Sequence, residues 1–317
     1  MDNKDLTNLH KEQITAFPLA QKNFKALDEV MYRRIAFHGF NIDLQYNPAR
    51  IISTNAKTDK NSLAKRPCFL CRKNMPEEQH GISYPGDYHI YINPFPIFRN
   101  HFTVPADIHT PQRIAGRFKD LLSLAKEFSE YTVFYNGPSS GASAPDHFHF
   151  QIVPQGIMPL EKDVHEKRLL ENIYNSDSCT INRIQHYLRE VIVMESNDRT
   201  ILEKGFDLLY DIIGKTVAFE FEPQMNILSW YKESKWTVCI FPRKRWRPRQ
   251  FFLEGDEKIM FSPGCVDMAG LIIAPRKEDY DIYSPELLED LFHQVSVTRE
   301  ENDMITSQLN EQCKHLI

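Results

Sequence analysis

Asn136-Gly137-Pro138-Ser139-Ser140-Gly141-Ala142-Ser143-Ala144-Pro145-Asp146-His147-Phe148-His149-Phe150-Gln151 joins a loop of small residues to a short alternating segment. Alternation predicts a strand with His147, His149 and Gln151 on one face and Phe148, Phe150 and Ile152 on the other. A lone histidine half-exposed on a strand needs no function. Two histidines and a glutamine at period two, directly after small residues, point to a site. Small residues let backbone N–H groups approach an anion. A neutral imidazole, once oriented and desolvated, attacks phosphorus. The stretch therefore reads as a phosphate site with a histidine nucleophile.

This pattern resembles the active-site motif of the histidine-triad superfamily, in its nucleotidyltransferase branch. That branch includes galactose-1-phosphate uridylyltransferase, diadenosine tetraphosphate phosphorylase and GDP-L-galactose phosphorylase. Hydrolases of the superfamily carry a third histidine where this chain has Gln151, so the departure points to transfer. The resemblance implies His149 as nucleophile, with Gln151 and Ser143 assisting at the phosphate. Gly141 and Ala142 would offer N–H groups, and Asn136 would hold the loop or the phosphate. Asn93-Pro94-Phe95-Pro96 is similar to the segment that packs the nucleoside, with Asn93 on the ribose and Phe95 on the base. Asn47 to Cys71 is similar to the uridylyltransferase N-terminal segment. There Arg50, Lys57, Lys65 and Arg66 are sources of positive charge for phosphates, although a solvated basic loop would look the same.

Cys68-Phe69-Leu70-Cys71 is a C-x-x-C, which alone fits either a zinc knuckle or a redox pair. It follows Arg66-Pro67 in a loop rather than opening a βαβ unit, which disfavours the redox reading. Zinc needs two further ligands. The resemblance implies His109, just past Val104-Pro105, and His147. A structural Zn2+ on Cys68, Cys71, His109 and His147 would then fix the strand that carries His149. His101 is the rival ligand.

With 317 residues, 42% hydrophobic and 26% charged, the chain has the composition of a soluble globular protein. No apolar run approaches a membrane span, and the polar N-terminus lacks a signal-peptide core, so the expected compartment is cytoplasmic. A net charge of −5 gives no global attraction for nucleic acid. The basic run Arg243-Lys244-Arg245-Trp246-Arg247-Pro248-Arg249 is too short to reverse that and reads as a phosphate-facing edge or a solvated strand end.

In chain order, 18–38 reads as a helix with Leu27, Val30, Met31 and Ile35 inward, and 40–46 and 50–54 as strands. Residues 88–92 read as a strand, 111–131 as a helix and 132–135 as a strand. Residues 159–215 read as three helices, near 164–173, 181–193 and 202–213. A further helix is expected near 287–297, followed by a polar end. Trp236 to Trp246 parallels Phe102 to His109, with Trp246 at the place of His109, and Gly270 to Pro275 parallels His149 to Pro154.

These parallels imply an α+β fold of two histidine-triad-like halves, each an antiparallel sheet with helices packed on it, the second catalytically degenerate. The expected division is a catalytic half over 1–158, a helical connector over 159–215 and a second half over 216–317. The expected activity is nucleotidyl transfer or phosphorolysis on a nucleoside diphosphate sugar or dinucleoside polyphosphate. It would run through a nucleotidyl-histidine, with phosphate or a sugar 1-phosphate as acceptor. The alternatives are a histidine-triad hydrolase and a non-catalytic nucleotide sensor. The resemblance also implies a homodimer.

Overall fold

The computed structural model describes residues 1–54, 60–167 and 169–316. Its strands, in chain order, are β1 (Met31–Ala36), β2 (Asn41–Tyr46), β3 (Gly81–Tyr84), β4 (Tyr88–Ile92), β5 (Phe102–Pro105), β6 (Tyr131–Asn136), β7 (His149–Pro154), β8 (Leu170–Asn175), β9 (Cys179–Ile184), β10 (Ile192–Ser196), β11 (Met225–Lys232), β12 (Lys235–Pro242) and β13 (Leu271–Ala274). β1 pairs antiparallel with β2, and β13 joins β2 in parallel, giving a three-stranded sheet. The other ten strands form one antiparallel sheet in the order β3-β4-β5-β7-β6-β11-β12-β10-β9-β8.

Outward from the central β6–β11 pair, the order is β7, β5, β4, β3 on one side and β12, β10, β9, β8 on the other. The same arrangement thus occurs twice. Each side also inserts a helix at the same point: Phe118–Glu127 between β5 and β6, and Arg199–Thr216 between β10 and β11. The chain is an α+β protein of two like halves sharing one sheet.

This symmetry corrects both sequence parallels. β12 occupies the place of β7, not of β5, and β13 lies in the other sheet. Trp246 is therefore not the counterpart of His109. Where the first half has residues 137–148, the second has a two-residue turn, Glu233 and Ser234, with φ of 52° and 63°. Positive φ at both central positions is what a tight hairpin needs. The second half is degenerate because the loop itself is missing.

Several elements also differ from expectation. The helix over 18–38 stops at Lys25, and Met31–Ala36 is strand β1, with Ile35 opposite Ile42. Met31, placed inward by helical spacing, is exposed. Ile51–Thr54 is a short helix rather than a strand. The helix expected from 111 begins only at Phe118, because Gly116 sits at φ +75° and the Gln112 side chain is engaged elsewhere. Residues 170–184 form the β8–β9 hairpin instead of helices, and residues 192–196 form β10. β8 lies at the sheet edge and its side chains are mostly half-exposed, so it shows no run of buried apolar residues. The tail is a helix, Arg299–Leu316, that buries Ile305, Leu309 and Cys313 against the Arg199–Thr216 helix.

The large sheet is covered on both faces. Phe148, Phe150 and Ile152 pack with Leu121, Leu122, Phe206 and Leu209 of the crossover helices. On the other face, Phe134, Val153 and Leu228 pack with Ile42, Leu44 and Ile272 of the small sheet. The alternation read from His147 to Ile152 therefore places the aromatic side in the core and turns the polar side toward the other face. Among the described residues, no helix is long and apolar enough to cross a membrane.

Behind β6 a carboxyl is sealed in. The Tyr135 hydroxyl and the Ile114 N–H both donate to Glu222, the latter at 3.0 Å. Burial raises this carboxyl from 4.5 to about 7. Between those values the folded chain keeps a proton that the unfolded chain releases. Stability therefore falls as pH rises through the window and levels off above it, by at most about 3 kcal/mol. Glu222→Gln is expected to flatten this part of a Tm-against-pH curve. An unchanged slope would mean that the carboxyl is ionised in the fold.

Candidate active site

Four sulfur and nitrogen donors converge beside the small-residue loop. The ligand atoms of Cys68, Cys71, His109 and His147 all lie within 4.8 Å of one another. Cys68 Sγ is 3.3 Å from His147 Nδ1, and Cys71 Sγ is 3.2 Å from His109 Nδ1 and 3.6 Å from His147 Nδ1. Tetrahedral zinc with bonds of about 2.0–2.3 Å requires sulfur–nitrogen edges of roughly 3.5 Å. The outer groups fit a metal too. His147 Nε2–H donates to the Ala106 carbonyl at 2.7 Å, which leaves the Nδ1 lone pair facing the cluster. Asp146 lies 3.8 Å from His109 Nε2 and accepts from Arg66 at 3.1 Å. His101, the rival ligand, is not in this cluster.

His149 lies two residues on. Its Nδ1–H donates to the His147 carbonyl at 2.9 Å, leaving Nε2 as the atom with the lone pair. Burial pulls the imidazole down to about 4, opposed by that hydrogen bond, so the ring is neutral near pH 7. The main chain is held as tightly. His149 N–H donates to Gln112 Oε1 at 2.8 Å, while Gln112 Nε2 donates to the carbonyls of His149 and Asn136 at 3.0 and 2.9 Å. Gln112 thus bridges β6 and β7 where their own pairing ends at Phe134 and Gln151.

His101 fixes the direction of Gln151. The Ile97 N–H donates to His101 Nδ1 at 3.2 Å, so the proton sits on Nε2. That Nε2–H donates to Gln151 Oε1 at 2.8 Å, which turns the Gln151 NH2 group away from His101 as a donor. Burial, helped by the Arg50 charge, lowers His101 to about 3 and keeps it neutral.

The loop before His147 is tied to the second half. Asn136 Oδ1 accepts from the Cys265 N–H at 2.7 Å and from Asn226 Nδ2 at 2.8 Å. Asn136 therefore ties the end of β6 to the second half. Gly141 has φ +97°, and a Cβ there would lie 2.5 Å from Gly264 Cα. Gly141→Ala is expected to cost about 2–4 kcal/mol through positive φ and backbone overlap. A Tm within a degree of wild type would show that the two loops are not locked together. The N–H groups of Gly141, Ala142 and Ser143 donate to no group among the described residues.

His149, Gln151, Gly141, Ala142, Ser143 and Asn136 line one cavity of about 800 Å3. Asn93, Phe95 and Arg50 line its adjoining wall. Asn93 Oδ1 accepts from the Phe95 N–H at 2.9 Å, and the Phe95 carbonyl accepts from Arg50 Nη1. Lys57 lies outside the described residues. Sequence reasoning missed Gln112 and the role of His101, because neither stands near the motif in the chain. It also missed how much of the cavity comes from the second half: Trp246, Arg247, Ser262, Gly264 and Asp267. The basic run around Trp246 was the one signal available.

The structure superimposes on yeast Ap4A phosphorylase Apa2 in complex with Ap4A, at a TM-score of 0.60 and 18% identity, covering 91% of this chain and 97% of that one. The chain shares the fold of this phosphorylase. The AMP complex of the same phosphorylase gives a TM-score of 0.58 at 17% identity, covering 90% and 96% of the two chains. The shared fold therefore spans nearly all of this chain. By sequence, residues 9–154 match a domain of unknown function, DUF4922. That match covers the first half and stops where β7 ends. No curated protein matches the chain.

Proposed function

We propose that the chain is a nucleotidyltransferase or phosphorylase acting on a dinucleoside polyphosphate or a nucleoside diphosphate sugar. The observation that carries this reading is the placement of His149. Its Nδ1–H is spent on the His147 carbonyl, so Nε2 is the nucleophile, neutral and within the cavity. In the first half-reaction Nε2 bonds to the α-phosphorus, the bridging P–O bond breaks, and the leaving phosphate takes the electron pair. In the second, an oxygen of inorganic phosphate or a sugar 1-phosphate attacks the same phosphorus, the N–P bond breaks, and the imidazole is restored. Two half-reactions through one covalent intermediate give ping-pong kinetics.

The NH2 of Gln151 and the N–H groups of Gly141 to Ser143 would stabilise the charge that builds on the phosphoryl oxygens. Asn93 and Phe95 would hold the ribose and base, with Arg50 near the phosphates. Cys68, Cys71, His109 and His147 would hold Zn2+. When bound, zinc would lock His147, whose carbonyl in turn orients His149.

Intact mass, measured without acid after incubation with a panel of dinucleoside polyphosphates and nucleoside diphosphate hexoses, tests this reading. A gain of one nucleoside monophosphate supports it and names the base. Steady release of monophosphate with no adduct would favour a hydrolase, and saturable binding without turnover would favour a sensor.

A further inference from the structure

The basic run 243–249 is divided by the fold. Arg243 is fully buried and structural, donating to Asn226 Oδ1 and to the carbonyls of Pro263 and Val295. Lys244 pairs with Glu301 and Arg249 with Asp290, at 3.0 and 3.3 Å. Arg247 turns instead into the cavity that holds His149. Its guanidinium carbon lies 3.7 Å from the ring centre of Trp246 and 3.8 Å from that of Phe251. Arg247 Nε donates to Ser262 Oγ at 2.8 Å and Nη2 to the Thr54 carbonyl at 3.3 Å.

This clamped cation has no acidic partner among the described residues. No carboxylate among the described residues pairs with it, and burial lowers its pKa to about 10 with no negative neighbour opposing the shift. Trp246 lines the same cavity, and its indole N–H is buried with no acceptor among the described residues. Such groups are costly unless an oxygen meets them, and an anionic oxygen satisfies both. The wall opposite this pair in sequence origin, with His149, Gln151 and the 141–143 loop, comes from the first half.

We infer that Arg247 and Trp246 form the subsite for the exchanged phosphate: the leaving phosphate of the donor in one half-reaction and the acceptor phosphate in the other. This rests on the nucleotidyl-transfer reading above. When the bridging P–O bond breaks, the leaving oxygen takes the electron pair and its phosphate gains charge, which Arg247 stabilises. In the return step the incoming phosphate occupies the same place and one of its oxygens displaces Nε2. The second half, stripped of its own loop, thus contributes phosphate recognition to the first half's nucleophile.

The test compares nucleoside mono- and triphosphate binding by calorimetry in wild type, Arg247→Gln and Trp246→Phe. The dependence of adduct consumption on inorganic phosphate is measured alongside. Arg247→Gln is expected to bind the monophosphate within about twofold of wild type but the triphosphate about 10- to 100-fold more weakly. Its KM for inorganic phosphate is expected to rise by a similar factor. Trp246→Phe, which keeps a smaller aromatic ring for Arg247 to stack on and loses the indole N–H, is expected to move the same quantities by about 3- to 10-fold. Equal losses for mono- and triphosphate, or no loss for either, would overturn the subsite. A wild type that binds neither nucleotide and forms no adduct would overturn the parent reading as well.

Discussion

Alanine at position 149 is expected to lower nucleotidyl transfer by at least about 10,000-fold, the scale of losing a covalent nucleophile. The expectation depends on which atom reacts. The imidazole is anchored at Nδ1 by the His147 carbonyl, and its ring lines the cavity rather than filling the core. Its backbone stays clamped by Gln112, so the variant should fold. Rates of donor consumption, intact mass and circular dichroism separate the outcomes. An unchanged spectrum with no adduct and no transfer is the expected set. Transfer within tenfold of wild type would show that another group attacks phosphorus.

Removing the metal is expected to have the second largest effect. Elemental analysis of the purified protein should give one zinc per chain, and Cys68→Ser should carry little. Losing a structural metal costs several kcal/mol, which for a chain of this size lowers Tm by about 5–15 °C. Activity should fall with it, because His147 offers the cluster its Nδ1 and offers His149 its carbonyl. A zinc-free Cys68→Ser protein with wild-type turnover would break that link even if its Tm had dropped. A protein containing no zinc and indifferent to chelators would remove the metal altogether.

The aromatic face of 148–152 and the convergence of Cys68, Cys71, His109 and His147 were legible in the sequence. For the aromatic face a short-range alternation dictates the arrangement, whereas C-x-x-C asked only for two further ligands and the family resemblance supplied His109 and His147. β1 was not legible, because Leu27, Val30, Met31 and Ile35 happen to fit helical spacing, while the partner that makes it a strand is β2. β8 and β9 were missed because an edge hairpin needs little apolar patterning. The internal repeat was misaligned because apolar strands ending in proline look alike. The decisive clue was the Glu233–Ser234 turn, whose left-handed backbone is not required by either residue type. His101 and Gln112 act through pairings across 50 and 37 residues, and nothing local announces those.

The bond between Asn136 and the Cys265 N–H joins positions 129 residues apart, and Gly141 rests on Gly264. On the ribosome, the motif-bearing loop emerges long before the segment it must lean against. Contacts of such long sequence separation form late. A nascent chain would thus present His149 well before the wall that completes its cavity has been made. Its cavity would be complete only after the segment around Gly264 has emerged.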